Sequence, residues 1–211
     1  MDIREKLVAA ARSMASLGIN QGVAGNLSVR TEAGMLITPS SVSYDELSPD
    51  QLALMPFDEY GSFHGPKRPS SEWRFHLDIM AARPEIGAIV HNHAPYATAL
   101  AMARREIPAC HYMVARFGGA PIRVAEYALF GTQALSGHVL SALRDRSACL
   151  MANHGCIATG PDLDAAMLAA VELEALARQY VLSLSVGGPV LLSEADTAAA
   201  VRQFAKVYTR N

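Results

Sequence analysis

Cysteine and long uncharged runs are scarce in this chain. The three cysteines, Cys110, Cys149 and Cys156, form no Cys-x-x-Cys pair, which argues against a redox dithiol or a zinc ribbon. Residues 1–12 are charged and lack the apolar centre of a signal peptide, so we expect reduced thiols in the cytoplasm. The longest stretch without Asp, Glu, Lys or Arg, residues 86–103, contains two His, an Asn, a Pro and a Tyr. No membrane span is therefore predicted.

A strong charge of either sign is also missing. The formal charge is -2 over 211 residues, and Lys and Arg form no basic stripe that would follow a phosphate backbone. We therefore expect no nucleic acid as a partner. The length suits one compact unit with a full core, so a single domain is predicted over residues 1–211.

The spacing of apolar residues predicts a sheet covered by helices. A first helix runs from Ile3 to Leu17 and ends at Gly18. Apolar or alternating segments predict strands over residues 26–30 and 35–38, which form a hairpin, and over 86–90, 122–125 and 148–152. Helical spacing recurs over residues 95–104, 131–143, 164–184 and 193–208. This pattern is typical of an α/β or α+β fold.

Three histidines follow two of the predicted strands. His91 and His93 come directly after residues 86–90, and His154 follows the strand that ends at residue 152. Side chains two residues apart on a strand point to the same side, so the first two can converge on one ion. Three imidazoles with one position left open suit a catalytic Zn²⁺ site. From the chemistry alone, an ordinary structural role for these histidines stays an alternative.

A further helix is predicted after Pro69, where apolar residues recur at helical spacing as far as Pro84. This predicts that Glu72 lies in the first turn of the helix. His76 stands one turn later, so a Glu72–His76 ligand pair is a second, competing metal site. Ser70 and Ser71 stand at the start of the helix, where free N–H groups and positive partial charge favour an anion such as phosphate.

Four other small residues add to this predicted anion site. Gly25 would let backbone approach a ligand closely, and Asn26, Ser40 and Ser41 would add hydrogen-bond donors. Each of them taken alone is an ordinary turn or cap residue. Together with a metal, they indicate a phosphorylated metabolite as the ligand.

Several segments in the same order along the chain resemble the class II aldolase/adducin family. They are LGINQGVAGNLSVR (17–30), MLITP (35–39), PSSEWRFH (69–76), HNHA (91–94), IPACHYM (107–113) and NHG (153–155). The resemblance implies an α/β fold in which a three-layer α/β/α sandwich surrounds a mainly antiparallel sheet. It also implies a homo-oligomer, a C4 tetramer with active sites at its subunit interfaces.

The family's functional residues can be carried over to matching positions. The resemblance implies one Zn²⁺, or another divalent metal, per subunit, held by His91, His93, His154 and Glu72. Glu72 would also be the catalytic acid–base residue. The implied phosphate contacts are Gly25, Asn26, Ser40, Ser41, Ser70 and Ser71. Tyr112 would reach into the site of a neighbouring subunit, and Tyr208, near the C-terminus, would be a second catalytic tyrosine.

The reaction implied by the resemblance is reversible cleavage of a ketose 1-phosphate to dihydroxyacetone phosphate and an aldehyde. Glu72 would move the proton at C3, and Tyr112 would sit at the C4 oxygen. Candidate substrates are the 1-phosphates of L-fuculose, 5-deoxyribulose and 5-methylthioribulose. A methylthioribulose-1-phosphate dehydratase and a sugar-phosphate 4-epimerase or decarboxylase stay open as alternatives within the family. The epimerase segment His-Ala-Asp-Tyr is absent, and an adducin-like scaffold would lack the metal ligands.

Two segments depart from the pattern of the fuculose-phosphate enzymes. Ser40 and Ser41 stand where that pattern has Thr-Gly, so the hydroxyl is kept, the glycine is lost and the loop conformation is open. Arg116 and Phe117 stand where that pattern has small residues. If Phe117 and nearby Val114 line the aldehyde end of the site, they favour an aldehyde with a deoxy or alkyl end.

Overall fold

One seven-stranded sheet lies at the centre of the fold. The computed structural model describes residues 2–208, with side chains up to residue 207. The strands are β1 (Asn26–Thr31), β2 (Gly34–Ile37), β3 (Ala53–Met55), β4 (Ala88–Asn92), β5 (Val124–Ala125), β6 (Ala148–Met151) and β7 (Gly155–Gly160). Their order is β3-β2-β1-β4-β7-β6-β5, and each neighbouring pair is antiparallel except β5 with β6. The predicted, mainly antiparallel sheet is confirmed.

Helices cover both faces of this sheet. They are α1 (Ile3–Ser16), α2 (Trp73–Ala82), α3 (Pro95–Met102), α4 (Gln133–Ala142), α5 (Leu163–Leu184) and α6 (Glu194–Tyr208). Two 3₁₀ helices span Pro49–Gln51 and Tyr112–Phe117. Each predicted helix is present with slightly different ends, and Gly18, with φ of 71°, lies just beyond α1 as predicted. No helix within residues 2–208 has the length and apolarity needed to cross a membrane.

The alternation of side chains along the strands creates three layers. Val90 of β4 packs into a core shared with α1, α3 and α5, whereas Ile89 packs into the opposite core, shared with α2 and α4. His91 has the same parity as Ile89, and its ring contacts Phe75 of α2 edge-on, with ring centroids 5.4 Å apart. The predicted α/β/α sandwich is thus confirmed, and it places His91 on the α2 side of the sheet.

Some local predictions need correction. The strands β3 and β7 were not predicted, because β3 is very short and β7 is rich in Gly and Ala, residues with little preference for strands. Glu72 does not lie in the first turn of α2 but immediately before it, with φ of -102° and ψ of 12°. The Trp73 N–H donates to the Ser70 carbonyl, and this tight turn delays the start of the helix.

Candidate metal centre and acid–base site

Three histidine rings meet where β4 and the β6–β7 turn come together. His91 lies in β4, His93 follows the end of that strand, and His154 lies in the turn before β7. Their ring centroids are 4.9 to 5.1 Å apart, and one ligand atom from each lies within 4.8 Å of the others. Gly155 makes this approach possible, because a Cβ there would lie 2.7 Å from His93 Cδ2.

The protonation of His91 leaves a lone pair directed at this meeting point. Its Nδ1 lies 3.0 Å from the Cys156 carbonyl oxygen, which only accepts, so Nδ1 carries a hydrogen. Nε2 of the neutral ring is then an acceptor. The Nε2 atoms of both His91 and His93 are buried, and neither has a hydrogen-bond partner. Converging buried acceptors of this kind require a cation, and a hydrogen bond from the other ring nitrogen is the usual support of a histidine metal ligand.

A carboxylate completes this set of donors. Glu72 Oε2 lies 3.1 Å from His91 Nε2, and Glu72 Oε1 lies 3.1 Å from His154 Nε2. Burial alone would raise the pKa of Glu72, but the His91 and His154 rings outweigh burial and hold the pKa well below its usual range. Burial likewise opposes charge on His91, yet Glu72 raises the pKa of that ring. The three imidazoles therefore fit a divalent cation such as Zn²⁺, and the Glu72 carboxylate lies beside two of them.

The predicted phosphate residues lie together beside these four side chains. A cavity of about 500 Å³ is lined by Glu72, His93 and His154, and by Gly25, Asn26, Ser40, Ser41, Ser70 and Ser71. Ser41 and Ser71 are exposed. The Ser40 hydroxyl donates to the Pro69 carbonyl, and Ser70 Oγ accepts from the Glu72 N–H, which ties the two serine loops to each other and to Glu72.

Three residues that line this cavity, Gly25, Ser41 and Asn153, have left-handed backbone. Ser41 has φ of 60°, a left-handed conformation that a glycine would adopt without strain. Gly25 has φ of 77°, and a Cβ there would lie 2.6 Å from the His91 carbonyl oxygen. Gly25 is therefore required by its contact with β4 as well as by its place in the cavity wall.

His76 is not part of the histidine cluster. Its ring is completely buried, with Nδ1 2.7 Å from Ser28 Oγ and Nε2 2.5 Å from Asn26 Oδ1. The alternative metal pair of Glu72 and His76 is therefore wrong, because the His76 ring is turned towards β1. The Asn26 amide in turn donates from Nδ2 to Glu72 Oε2 over 3.1 Å. No local pattern indicated this connection, because the two contacting segments are 46 to 50 residues apart.

The other predicted residues lie away from the cavity. Tyr112 is 57% exposed, stacks on Phe204 of α6 and does not line the cavity. The side chain of Tyr208 lies outside the described residues. The prediction that Val114 and Phe117 line the aldehyde end is wrong, because the 3₁₀ helix Tyr112–Phe117 turns both of them into the core, where they are fully buried.

Aromatic side chains that the sequence analysis missed form the mouth of the cavity. Tyr127 and Phe130 line it, and each is more than half exposed, at 54% and 59%. Val23 lies on the same rim and is also exposed. The sequence shows these two aromatic residues just before Gly131, but only the folded chain brings them close to the histidines.

Comparisons with known proteins agree with this geometry. The model of the class II aldolase and adducin N-terminal domain matches residues 5–181, a range that includes every residue lining the cavity. A 5-methylthioribulose-1-phosphate/5-deoxyribulose-1-phosphate aldolase of Rhodospirillum rubrum is 50% identical over 209 residues, which cover 99% of this chain and 93% of that protein. An L-fuculose phosphate aldolase of Escherichia coli is 45% identical over 192 residues, 90% of this chain and 88% of that protein. A solved L-fuculose 1-phosphate aldolase has a TM-score of 0.92 and 35% identity, covering 97% of this chain and 96% of that one.

Proposed function

Because the chain belongs to the class II aldolase and adducin family, we propose that it is a metal-dependent aldolase that reversibly cleaves a ketose 1-phosphate to dihydroxyacetone phosphate and an aldehyde. One observation carries this proposal. His91, His93, His154 and Glu72 lie together, and all of them except the fully buried His91 line the cavity whose other walls include the two serine loops. A cation site beside an anion site is what a substrate with a carbonyl group and a phosphate needs.

The histidines and Glu72 would hold one Zn²⁺, or another divalent cation, per subunit. When bound, such an ion supplies positive charge that stabilises the negative charge developing on the substrate oxygens at C2 and C3. The chain's own contribution is to fix three imidazole rings around one point. His91 does so through its Nδ1 bond to the Cys156 carbonyl, which keeps Nε2 free of a proton.

Glu72 is the proposed acid–base group. In the cleavage direction it would protonate C3 after the C3–C4 bond breaks, and in synthesis it would remove that proton. The pKa of its carboxyl group is held low by His91 and His154, so the group is ionised and carries no proton of its own at neutral pH. Its position between the histidines and Asn26 places it at the same cavity wall as the cation ligands.

The serine loops would hold the substrate phosphate. Ser41 and Ser71 are exposed and line the cavity, and Ser70 and Ser71 precede α2, whose N-terminus carries positive partial charge. Gly25, Asn26 and Ser40 are the other proposed contacts. Anchoring the phosphate would orient C2 and C3 towards the histidines and so lower the entropic part of the barrier.

The assembly supplies the last proposed catalytic group. Tyr112 is exposed and lies outside the cavity wall of its own chain, so it would act in the site of a neighbouring copy in a C4 tetramer. There it would stabilise or transfer the proton at the C4 oxygen. The role of Tyr208, the single domain over residues 1–211 and the cytoplasmic location stay predictions from the sequence.

The apolar mouth of the cavity favours a particular aldehyde. Tyr127 and Phe130 offer aromatic surface and no charge, which suits a deoxy or alkylthio end better than a polyhydroxylated one. We therefore place 5-deoxyribulose and 5-methylthioribulose 1-phosphates before L-fuculose 1-phosphate. This ranking agrees with the name of the relative from Rhodospirillum rubrum, which is 50% identical.

A panel of ketose 1-phosphates tests the proposal. The purified protein, loaded with Zn²⁺, is incubated with each of the three sugars, and dihydroxyacetone phosphate is measured by coupled reduction with NADH. We expect release from all three, with the largest kcat/KM for the 5-deoxy or 5-methylthio sugar. Formation of a diketone phosphate without dihydroxyacetone phosphate would instead identify a dehydratase. A change of configuration at C4 without cleavage would identify an epimerase.

A further inference from the structure

A chain of buried hydrogen bonds runs from β1 through α2 to Glu72. Ser28 Oγ lies 2.7 Å from His76 Nδ1, His76 Nε2 lies 2.5 Å from Asn26 Oδ1, and Asn26 Nδ2 lies 3.1 Å from Glu72 Oε2. Ser28 and His76 are fully buried, and Asn26 is almost so. Solvent therefore cannot replace any of these partners, and the chain has to be satisfied internally.

The direction of every hydrogen bond in this chain can be deduced. The carbonyl oxygen of Asn26 only accepts, so His76 Nε2 must carry the hydrogen. The pKa of His76 is lowered to about 3, chiefly by burial and also by His91, so the ring is neutral and has a single N–H. His76 Nδ1 is then an acceptor, and the Ser28 hydroxyl donates to it. All three donors point towards Glu72.

The Glu72 carboxylate only accepts, so the Asn26 amide must face it with Nδ2, and the His76 N–H on Oδ1 holds the amide in that orientation. The oxygen and nitrogen of a side-chain amide are nearly equal in size, so packing alone does not distinguish the two orientations. With the His76 N–H on Oδ1, Nδ2 faces Glu72 and donates to Oε2. In the opposite orientation Oδ1 would face the carboxylate and repel it. The other oxygen, Glu72 Oε1, is not held by this chain of hydrogen bonds and lies 3.1 Å from His154 Nε2.

We propose that His76, together with Ser28, is a positioning residue for the acid–base step, because it fixes the Asn26 amide that holds Glu72. The inference rests on the proposed aldolase function. It adds to that function a residue that touches neither the cation nor the substrate. It also gives Asn26 a second duty, because one Nδ2 hydrogen serves Glu72 and the other remains for the phosphate.

Two substitutions at one position test this role. His76→Phe keeps an aromatic ring beside Phe75 but removes both hydrogen bonds, whereas His76→Gln keeps a donor near the position of Nε2. We expect His76→Phe to lower kcat by about 10- to 100-fold, with KM nearly unchanged and zinc content unchanged, and His76→Gln to recover much of the loss. His64→Gln, a change to an exposed loop histidine, is the matched control and should leave kcat unchanged.

A partial reaction isolates the step that Glu72 performs. Exchange of a C3 hydrogen of dihydroxyacetone phosphate with deuterium from the solvent needs no aldehyde, and NMR follows it directly. His76→Phe should slow this exchange by the same factor as kcat. An exchange rate within about twofold of the wild-type rate would overturn the proposal, because removing a residue that positions an active-site group usually has a larger effect. The proposal would also be overturned if His76→Phe lost activity only in proportion to a loss of bound zinc. If the wild type itself releases no dihydroxyacetone phosphate, the proposed function fails instead.

A measurement without turnover covers the case in which His76→Phe does not fold. Imidazole ¹⁵N shifts of the wild-type protein at neutral pH should identify His76 as the neutral Nε2–H tautomer. In the Ser28→Ala variant, which deletes only one hydroxyl, the Nδ1–H form should gain population, and the exchange of dihydroxyacetone phosphate should slow. A charged ring or an Nδ1–H tautomer in the wild type would overturn the inference whatever the variants do.

Discussion

At the scale of single residues, the Glu72 carboxylate contacts two of the histidines and Asn26. Its two oxygens each lie 3.1 Å from a histidine Nε2, and Oε2 also accepts from Asn26. The three histidines alone meet the ligand number of a catalytic zinc site. We therefore infer that Glu72 is needed more for proton transfer than for cation binding.

Replacing Glu72 with Gln separates these two duties. The amide keeps the size of the side chain but removes the base, so kcat should fall by about 10²- to 10⁴-fold while zinc content stays close to one ion per chain. His154→Ala is the contrasting variant and should lose zinc and activity together. Mass spectrometry of the metal and steady-state kinetics provide the readouts. Comparable turnover of Glu72→Gln with zinc bound would remove the acid–base role.

Ser41 shows the cost of a serine in a glycine conformation. With φ of 60°, the Ser41 backbone is in the left-handed region, where a Cβ is unfavourable. Ser41 therefore makes the fold less stable than a glycine at this position would. Its exposed place in the cavity gives a reason to keep it, since it can donate to a phosphate.

Ser41→Gly should therefore stabilise the fold while weakening phosphate binding. We expect the free energy of unfolding to rise by about 1 kcal/mol from relief of the left-handed serine, and KM for the sugar phosphate to rise. Ser43→Gly is the matched control in the same loop. Ser43 has no positive φ, so glycine there should only lower stability. Urea unfolding measures the free energy of unfolding of both variants. If Ser41→Gly is no more stable than the wild type, the Ser41 backbone is not strained.

At the scale of elements, α3 begins two residues after His93 and is capped by a side chain of another helix. Ala94 at its N-cap has no side chain that can accept a hydrogen bond. Instead, the carboxylate of Glu174 in α5 accepts from the Tyr96 and Ala97 N–H groups, each over 2.9 Å. This bond joins α5 to the residues that follow the histidine pair and so steadies the end of β4.

Glu174→Ala should loosen this connection. Two N–H groups lose their partner, so we expect a loss of about 1 to 2 kcal/mol in the free energy of unfolding. Zinc affinity should also weaken, because His93 directly precedes the loosened segment. Glu174→Gln, which keeps an acceptor oxygen, should lose less of both. Urea unfolding and competition with a zinc chelator test this, and unchanged stability in Glu174→Ala would contradict the capping role.

The stability of the whole molecule should depend on pH through His76. Its pKa is about 3 in the fold, against 6.5 for an ordinary histidine, so the unfolded chain binds a proton in this interval that the folded chain does not. Stability is therefore highest above the unfolded value and falls as pH decreases, by up to about 1.4 kcal/mol per pH unit.

This slope should be smaller in His76→Gln. Unfolding of the metal-free proteins by urea, from about pH 7 to about pH 4, should show the wild type losing stability faster than the variant. The control His64→Gln alters only an exposed ring and should follow the wild type. Parallel curves for His76→Gln and the wild type would show that the buried ring accepts a proton without cost.

The proposed sharing of sites between copies makes a prediction about the assembly. Glu72→Gln and Tyr112→Phe should each be nearly inactive alone. In a ring of equal, randomly mixed subunits, about one site in four combines an intact Glu72 with an intact Tyr112 from the neighbour. Coexpression of the two variants should therefore restore about a quarter of the wild-type activity. No recovery would mean that Tyr112 acts within its own chain.

Much of this fold and site could be predicted because the signals are local. The helices, the hairpin of β1 and β2 and the histidine strand follow from apolar spacing and from glycine, whose effects act over a few residues. His91 and His93 are two positions apart, so strand geometry alone directs them to the same side. Local patterns therefore determined the helices, most of the strands and the identity of the histidines proposed as ligands.

Other features depended on contacts between distant segments. The approach of His154 to His91, the turn of His76 towards Asn26 and the burial of Phe117 follow from strand pairing and from core packing. Tyr127 and Phe130 reach the mouth of the cavity in the same way. Only the tertiary structure decided these, because register, side-chain direction and burial result from packing over the whole sheet, which no local pattern encodes.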